Sequence, residues 1–287
     1  MSIPSSFMHS KLISILKNKK WILLSIFSLI SFPAVAIDIS DDNFGQEIQN
    51  HEDAGKRIVV EMRKRLNNYN DLQANINVQI FNDNNQIKKR QIKIKILEGK
   101  DLGDKTLTTF VSPLDQKGVA LLTHSHKTKV NEQWLYLPAI KRVKKIAYRT
   151  QTSPFMGSEF TYEDIVPVEV EKFNYKLIKQ ANIDQEMIYF VEQIPTEKGS
   201  AYSRQIQWID QNFRLRKIEY FSKENVLIKT MTLSDYNLID DIFWHPKIMI
   251  MTNHSNGYKT VLQWFNYKVN SGFTEYDFTN LSLKREK

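Results

Sequence analysis

The sequence predicts a mainly β (α+β) protein, built from one antiparallel sheet of about ten or eleven strands with a helix before it. Three observations favour this class. Apolar residues follow a helical period before residue 67 and strict alternation after it. The strand-like segments recur at near-regular spacing, and short polar turns join them, which is typical of antiparallel sheets. A sheet this long must curl, because twisted strands accumulate their rotation.

The first 36 residues predict a cleaved export signal. Residues 21–32 form an unbroken run of apolar residues and serine, only 12 long, whereas a membrane-spanning helix needs roughly 20. Residues 34–36, Ala-Val-Ala, supply the small residues that signal peptidase requires, so we predict cleavage between Ala36 and Ile37. No acidic residue occurs in this segment, and the basic residues that precede the apolar run are Lys11, Lys17, Lys19 and Lys20.

Residues 37–287 are predicted to form a single periplasmic domain. Removing 36 of the 287 residues leaves 251, ample for a hydrophobic core. Removing four of the 40 basic residues leaves 36 against 32 acidic ones, a net charge of +4. Export excludes nucleic acid as the partner that a basic chain would otherwise suggest. The chain has no cysteine, so it has no disulfide framework and is not itself a lipoprotein.

The first element is an amphipathic helix over residues 52–66. Ile58, Val59, Met62 and Leu66 fall on one stripe at three- and four-residue spacing, and lysines and arginines occupy the other side. The stripe predicts that this helix packs against the sheet.

The strands follow as a hairpin and a series of short segments. Alternation over 72–80 and 92–96, around an Asn-Asp-Asn-Asn turn, predicts the hairpin. Residues 248–251 are apolar without alternation, so that strand is either buried on both faces or lines an apolar cavity. The other predicted strands are 106–112, 119–125, 130–137, 187–194, 202–210, 213–221, 226–233, 247–253, 260–267 and 278–283.

No catalytic or metal site is predicted, and no cofactor. His124 and His126 share one side of a strand, but a zinc site needs a third ligand that the sequence does not offer. Glu159, Glu163 and Asp164 are acidic neighbours without a partner placed for acid–base chemistry. Neither a glycine-rich phosphate loop nor a nucleophile elbow is present.

A run of basic residues precedes the aromatic residues around Gly157. This run either attracts anionic head groups or an acidic partner, or it is an ordinary solvated surface in a lysine-rich protein. The residues of the run are Lys141, Arg142, Lys144, Lys145 and Arg149.

Aromatic residues then crowd around Gly157. The strand before them must end at Pro138, which cannot continue a central ladder. Such residues either fill a core or line the mouth of a ligand site. The candidates for ligand contact are Trp134, Tyr136, Leu137, Phe155, Met156, Phe160 and Tyr162.

These residues form a recognisable pattern: W-L-Y-L-P-A at 134–139, the basic run, and F-M-G-S-x-F-x-Y-E-D at 155–164. The pattern resembles that of the outer-membrane lipoprotein-sorting proteins of the LolA-like superfamily. The resemblance extends over essentially the whole of 37–287. It implies an incurved, unclosed antiparallel half-barrel whose N-terminal helix and lid segments cover an apolar cavity.

The resemblance also implies a function. The chain would be a periplasmic carrier that shields the acyl chains of a lipoprotein or lipid on the way to the outer membrane. The aromatic candidates would contact lipid, the basic run would contact head groups or a partner, and the partner would be an inner-membrane transporter of the resistance-nodulation-division superfamily. Two alternatives stay open: an accessory subunit of such a transporter with a plugged cavity, and an enzyme acting on a small amphiphile, since fold alone does not exclude catalysis.

The signal sequence yields the first testable prediction. Because the apolar run is too short to span a bilayer, the mature protein should begin at Ile37 and be released by osmotic shock. N-terminal sequencing of the released protein checks the cleavage site. An intact amino terminus recovered in the membrane fraction would contradict the prediction.

Overall fold

A single antiparallel sheet dominates the structure. The computed structural model describes residues 51–285 apart from 83, 85, 100 and 101, and the predicted signal peptide with its cleavage site between Ala36 and Ile37 lies outside this range. Helix α1, His51–Leu66, precedes the sheet, as its apolar stripe predicts. A short helix, α2, Asn280–Arg285, follows the sheet.

The sheet contains 13 strands. In chain order they are β1 Asp71–Phe81, β2 Ile87–Leu97, β3 Lys105–Ser112, β4 Ala120–His124, β5 Glu132–Leu137, β6 Arg142–Lys145, β7 Phe173–Ile183, β8 Glu186–Pro195, β9 Arg204–Asp210, β10 Leu215–Phe221, β11 Leu227–Ile239, β12 Phe243–Asn253 and β13 Lys259–Val269.

The strand order makes the sheet an unclosed half-barrel. Consecutive strands pair, except that β6 and β7 form the two edges and β13 pairs with β1 in the middle. The chain therefore leaves the sheet at one edge and re-enters it at the other. We call the connection between these edges, residues 146–172, the lid segment. The predicted half-barrel with a lid is confirmed.

Three element predictions need correction. Strands β6 and β7 were missed, because β6 consists of four mostly basic residues and β7 is an edge strand with exposed polar positions. Residues 278–283 were predicted as a strand, which is wrong: a 3₁₀ turn, Glu275–Phe278, leads into α2. The backbone N–H of Ser282 donates to Thr279 Oγ1 at 3.3 Å, and the Thr279 N–H donates to Ser282 Oγ at 3.3 Å. This reciprocal cap starts a helix where alternation suggested a strand.

Helix α1 packs on the concave face over β7, β8 and β9. Ile58, Val59 and Met62 are buried against strand residues such as Leu177 and Val191. The helix approaches β7 so closely that a Cβ on Gly55 would lie 2.7 Å from the Leu177 backbone nitrogen. Glycine at this position therefore permits the contact, although it weakens a helix interior by about 1 kcal/mol relative to alanine.

Helix α2 covers part of the opposite, convex face. Phe278 and Leu283 are buried there against Leu107 and Leu122. Strand β4 is thus buried on both faces, which explains why it is apolar without alternation. Within the described residues, neither helix has the length and apolar character to span a bilayer.

Candidate ligand-binding cavity

An apolar cavity of about 280 Å³ lies between the concave face, the end of α1 and the lid segment. Alternation along the strands builds its sheet side. Ile92, Ile94 and Ile96 of β2 face inward together, beside Leu262 and Trp264 of β13. The period-two pattern in the sequence therefore translates directly into one wall of the cavity.

The methionines of β12 face the same side. Met249 lines the cavity, and Met251 is fully buried beside it in the core. Ile248 and Ile250 alternate onto the other face and are partly exposed. The apolar run 248–251 thus contains one cavity-lining residue, and it does not form a strand that is buried on both faces.

Two aromatic residues of the lid segment close the cavity. Phe155 and Phe160 both line it and are only 7% and 5% exposed. The Phe155 ring lies 5.9 Å from that of Phe110 and 5.2 Å from that of Tyr162. Phe160 packs in a separate cluster that includes Tyr202. These two residues therefore both pack in the hydrophobic core and form part of the cavity wall.

An ion pair in the interior fixes the lid segment to the sheet. Lys229 Nζ of β11 lies 2.8 Å from Asp164 Oδ2, with the two side chains 8% and 1% exposed. The Tyr202 hydroxyl donates to Asp164 Oδ1 at 2.7 Å. A carboxylate so enclosed needs these partners, because an unpaired charge in the interior is strongly unfavourable.

The other two acidic residues of this cluster are also anchors. Glu163 accepts hydrogen bonds from the Ser200 hydroxyl and, at 2.9 Å, from the Ala201 N–H, and burial raises the pKa of Glu163. Glu159 accepts from Asn253 Nδ2 at 2.7 Å. The acidic cluster thus holds the lid segment against the β9–β13 half of the sheet.

The turn inside the lid segment depends on left-handed backbone. Met156 and Gly157 have φ values of 51° and 73°. The Ser158 hydroxyl donates to the Phe155 carbonyl at 2.8 Å across this turn. Met156 packs against the core cluster that contains Phe155, but it is not part of the cavity wall.

The remaining aromatic candidates lie elsewhere. Trp134 and Tyr136 point to the convex face, where they pack with the residues that α2 covers, so they do not line the cavity. Leu137 packs against the concave core. Tyr162 is buried there, and its carbonyl accepts from Gln133 Nε2 at 3.1 Å. Alternation in β5 explains this division, since successive side chains point to opposite faces.

The basic run is a surface feature at one edge of the sheet. Its side chains are exposed and lie outside the cavity wall. Lys145 contacts Glu132 at 2.7 Å and lies 5.5 Å from the centroid of the Trp134 ring. The structure places Arg142, Lys144 and Lys145 on β6, Lys141 just before it, and Arg149 in a 3₁₀ turn within the lid segment.

Several cavity residues were not anticipated from the sequence. The apolar run 165–168 of the lid segment lines the cavity, together with Arg90, Arg63, Asp104 and His245. Arg90 could have been found, because it lies in the same alternating frame as the isoleucines of β2. Residues 165–168, Ile-Val-Pro-Val, could also have been found. They are apolar, and their proline does not suit a central strand, so burial outside the sheet was the interpretation to expect.

Several charged and titratable groups lie at the end of the cavity near α1. At the end near α1, Arg63 Nη2 lies 3.8 Å from Asp104 Oδ2. Burial, followed by the nearby charge of Asp104, raises the pKa of Glu98 to about 7. Burial lowers the pKa of His245 to about 4, so this residue is neutral at pH 7. Arg63 is thus matched by Asp104 at this end, and His245 adds no positive charge there.

The histidine pair contacts protein groups. His124 Nε2 lies 2.8 Å from the Phe278 carbonyl, and His126 Nε2 lies 3.3 Å from Glu132 Oε2. Across the range that the structure describes, no group of three or more potential ligands is arranged to hold a metal ion.

Comparisons with known proteins agree on one fold. A family model described as "Uncharacterized protein" matches residues 103–285, and no curated protein sequence matches the chain. An outer membrane lipoprotein-sorting protein domain from Vibrio parahaemolyticus is 37% identical, with a TM-score of 0.79 over 82% of this chain and 100% of that one.

Two further structures support the same architecture. A DUF1329 family protein from Desulfovibrio piger is 26% identical, with a TM-score of 0.77 over 82% of this chain and 99% of that one. A LolA superfamily protein from Nitrosomonas europaea is 17% identical, with a TM-score of 0.67 over 79% of this chain and 98% of that one, a likeness of fold alone.

The buried ion pair gives a testable prediction. Asp164→Asn should lower the free energy of unfolding by about 3–5 kcal/mol, because the Lys229 charge is left buried without its partner. Replacing both residues, as Asp164→Asn with Lys229→Met, should restore part of this loss. Chemical denaturation measures both variants.

A matched control removes an exposed pair. Glu132→Gln removes the charge that faces Lys145, whose side chain is 59% exposed, and the nearby His126, and should cost no more than about 1 kcal/mol. If Asp164→Asn is as mild as this control, the ion pair does not fix the lid segment.

Proposed function

Because the chain belongs to the outer-membrane lipoprotein-sorting protein family of the LolA-like superfamily, we propose that it is a periplasmic carrier. It would take up the acyl chains of a lipidated protein or of a lipid and shield them from water during transport toward the outer membrane. The observation that carries this proposal is the apolar cavity beneath the lid segment.

The cavity suits acyl chains in size and chemistry. Its volume of about 280 Å³ is close to the lower end of the range of about 300–1,000 Å³ for small-molecule sites. Four isoleucines and two methionines of the strands line the cavity, and methionine adapts to ligands of irregular shape. Each methylene that leaves water for such a site contributes about 0.8 kcal/mol.

Binding is non-covalent in this proposal, and no residue acts as a catalyst. The acidic residues of the lid-segment cluster, Glu159, Glu163 and Asp164, are engaged in holding the lid segment to the sheet. Their hydrogen bonds favour a structural role over acid–base chemistry.

Release requires a partner that favours an open form. A ligand that is held only by burial of its acyl chain stays bound until a partner stabilises the open form of the carrier. A transporter of the resistance-nodulation-division superfamily, or an anionic membrane surface, would supply that interaction. The exposed basic run on the β6 edge is the surface that we assign to such contacts.

Filling the cavity tests the carrier function. Ile94→Trp places a large side chain in the middle of the cavity, where Ile94 faces inward. We expect binding of a fluorescent long-chain fatty acid to fall by about tenfold or more, because the tryptophan occupies the space of the acyl chain. Stability should change by no more than about 1–3 kcal/mol, the usual range for overpacking.

The control for this experiment is Lys93→Trp, which adds the same side chain one residue away on the opposite face. It should bind the fatty acid as the wild type does. Undiminished binding by a folded Ile94→Trp protein would exclude this cavity as the site. Lipid that co-purifies with the wild type from periplasm, detected by native mass spectrometry, would identify the cargo.

The basic run gives a further prediction. Changing Lys141, Arg142, Lys144 and Lys145 to glutamine should weaken binding to vesicles that contain anionic phospholipid, and added salt should have the same effect on the wild type. Vesicle co-sedimentation measures the effect.

The control changes four exposed lysines elsewhere on the sheet, Lys88, Lys89, Lys259 and Lys268, to glutamine. Equal loss of vesicle binding in the two proteins would mean that net charge alone is responsible. Unchanged binding of the basic-run variant at low salt would show that the run is only a solvated surface.

A further inference from the structure

We propose that Arg90 binds the head group of the cargo, and that the cargo is a single-chain amphiphile with an anionic head group, a carboxylate or a phosphate. This inference rests on the carrier function proposed above and narrows its ligand class. It assigns the guanidinium of Arg90 to the anion and the isoleucines of β2 to the acyl chain.

Arg90 stands at one end of the inward-facing row of β2. Arg90, Ile92, Ile94 and Ile96 all line the cavity, because they occupy alternate positions of one strand. Six residue steps separate Arg90 from Ile96, which corresponds to roughly 20 Å of strand at about 3.3 Å per residue. One cation followed by an apolar row is the pattern that complements an anionic head and an extended chain.

Arg90 has no carboxylate at ion-pair distance among the described residues. Its guanidinium lies 5.9 Å from the centroid of the Phe110 ring, and the acidic residue whose charge acts on it, at longer range, is Asp115. Arg90 is half-buried, and burial lowers its pKa, although an arginine remains charged at any physiological pH. A partly desolvated cation in this position gains from an anion that enters the cavity.

The other charges of the cavity are already matched. Asp164 is paired with Lys229, and Arg63 faces Asp104. Because Arg63 already faces Asp104, with Glu98 and Glu169 close by, an anion gains less at that end than at Arg90. The charge distribution therefore orients the cargo, with its head group at Arg90 and its chain pointing toward α1.

The chemistry of the cation selects among lipidic ligands. A planar guanidinium can donate two parallel hydrogen bonds to a carboxylate or phosphate, which makes it suited to these anions. The acyl chains of a lipidated protein are attached through neutral ester and amide linkages, which offer no negative charge to a guanidinium. Arg90 thus favours a free anionic amphiphile over a lipidated protein.

The experiment compares an anionic ligand with a neutral one. A dansyl-labelled long-chain fatty acid and its methyl ester are titrated against the full mature protein and three variants, Arg90→Gln, Arg90→Lys and Lys89→Gln. Lys89 is an exposed cation on the opposite face of the same strand, so it controls for net charge. Denaturation midpoints verify that each variant is folded.

We expect Arg90→Gln to weaken binding of the fatty acid by about tenfold or more, as the loss of charge-assisted hydrogen bonds implies, and to leave binding of the ester unchanged. Arg90→Lys should weaken it less, and Lys89→Gln should have no effect. Displacement of the fatty acid by an alkyl phosphate, but not by inorganic phosphate, would show that the anion must be part of an amphiphile.

Other outcomes separate the two proposals. If Arg90→Gln binds both ligands as the wild type does, or loses both equally, the head-group assignment is overturned while the carrier function stands. If inorganic phosphate displaces the fatty acid, the site binds a free anion and the assignment is likewise overturned. If the folded wild type binds neither ligand, the carrier function and the assignment both fail.

Discussion

The pairing of β13 with β1 determines the shape of the sheet. Residues about 200 positions apart, such as Leu72 and Val269, meet in one ladder, so the first six strands and the last seven form a continuous sheet. The same pairing leaves β6 and β7 as separate edges. The connection between them cannot be a short turn, and it crosses the concave side of the curled sheet. A covered cavity follows from the order of the strands.

Two kinds of contact hold the crossing segment in place. Toward the first half of the sheet it presents Phe155 and Tyr162, which pack on the apolar surface of β1 to β5. Toward the second half it presents carboxylates, which meet Lys229, Asn253 and the backbone at Ala201. Apolar contacts tolerate small shifts, whereas buried ionic contacts require specific positions. The lid segment is therefore positioned mainly by its acidic residues.

Local periodicity made much of the fold predictable. The stripe of α1 and the alternation of β1, β2 and β13 follow from burial of one face, which a sequence records directly. Strand β6 has no such alternation of apolar and polar residues. It is a strand because it pairs with β5. The helix at 280–285 was missed because its apolar residues, Leu281 and Leu283, also fit alternation. Of the candidate ligand-contact residues, Phe155 and Phe160 line the cavity, and their contact with a ligand stays a prediction. The partner of Asp164 was not predictable, since 65 residues separate it from Lys229.

A half-barrel that does not close keeps two strands with unpaired backbone groups, and each invites another chain to add a strand. Both edges of this sheet are poor templates. Strand β6 is only four residues long and carries three cations, and β7 exposes Lys176 and Lys179. Pairing of two copies along either edge would bring like charges together. The exposed lysines and arginines of the two edge strands thus oppose pairing between copies of this chain.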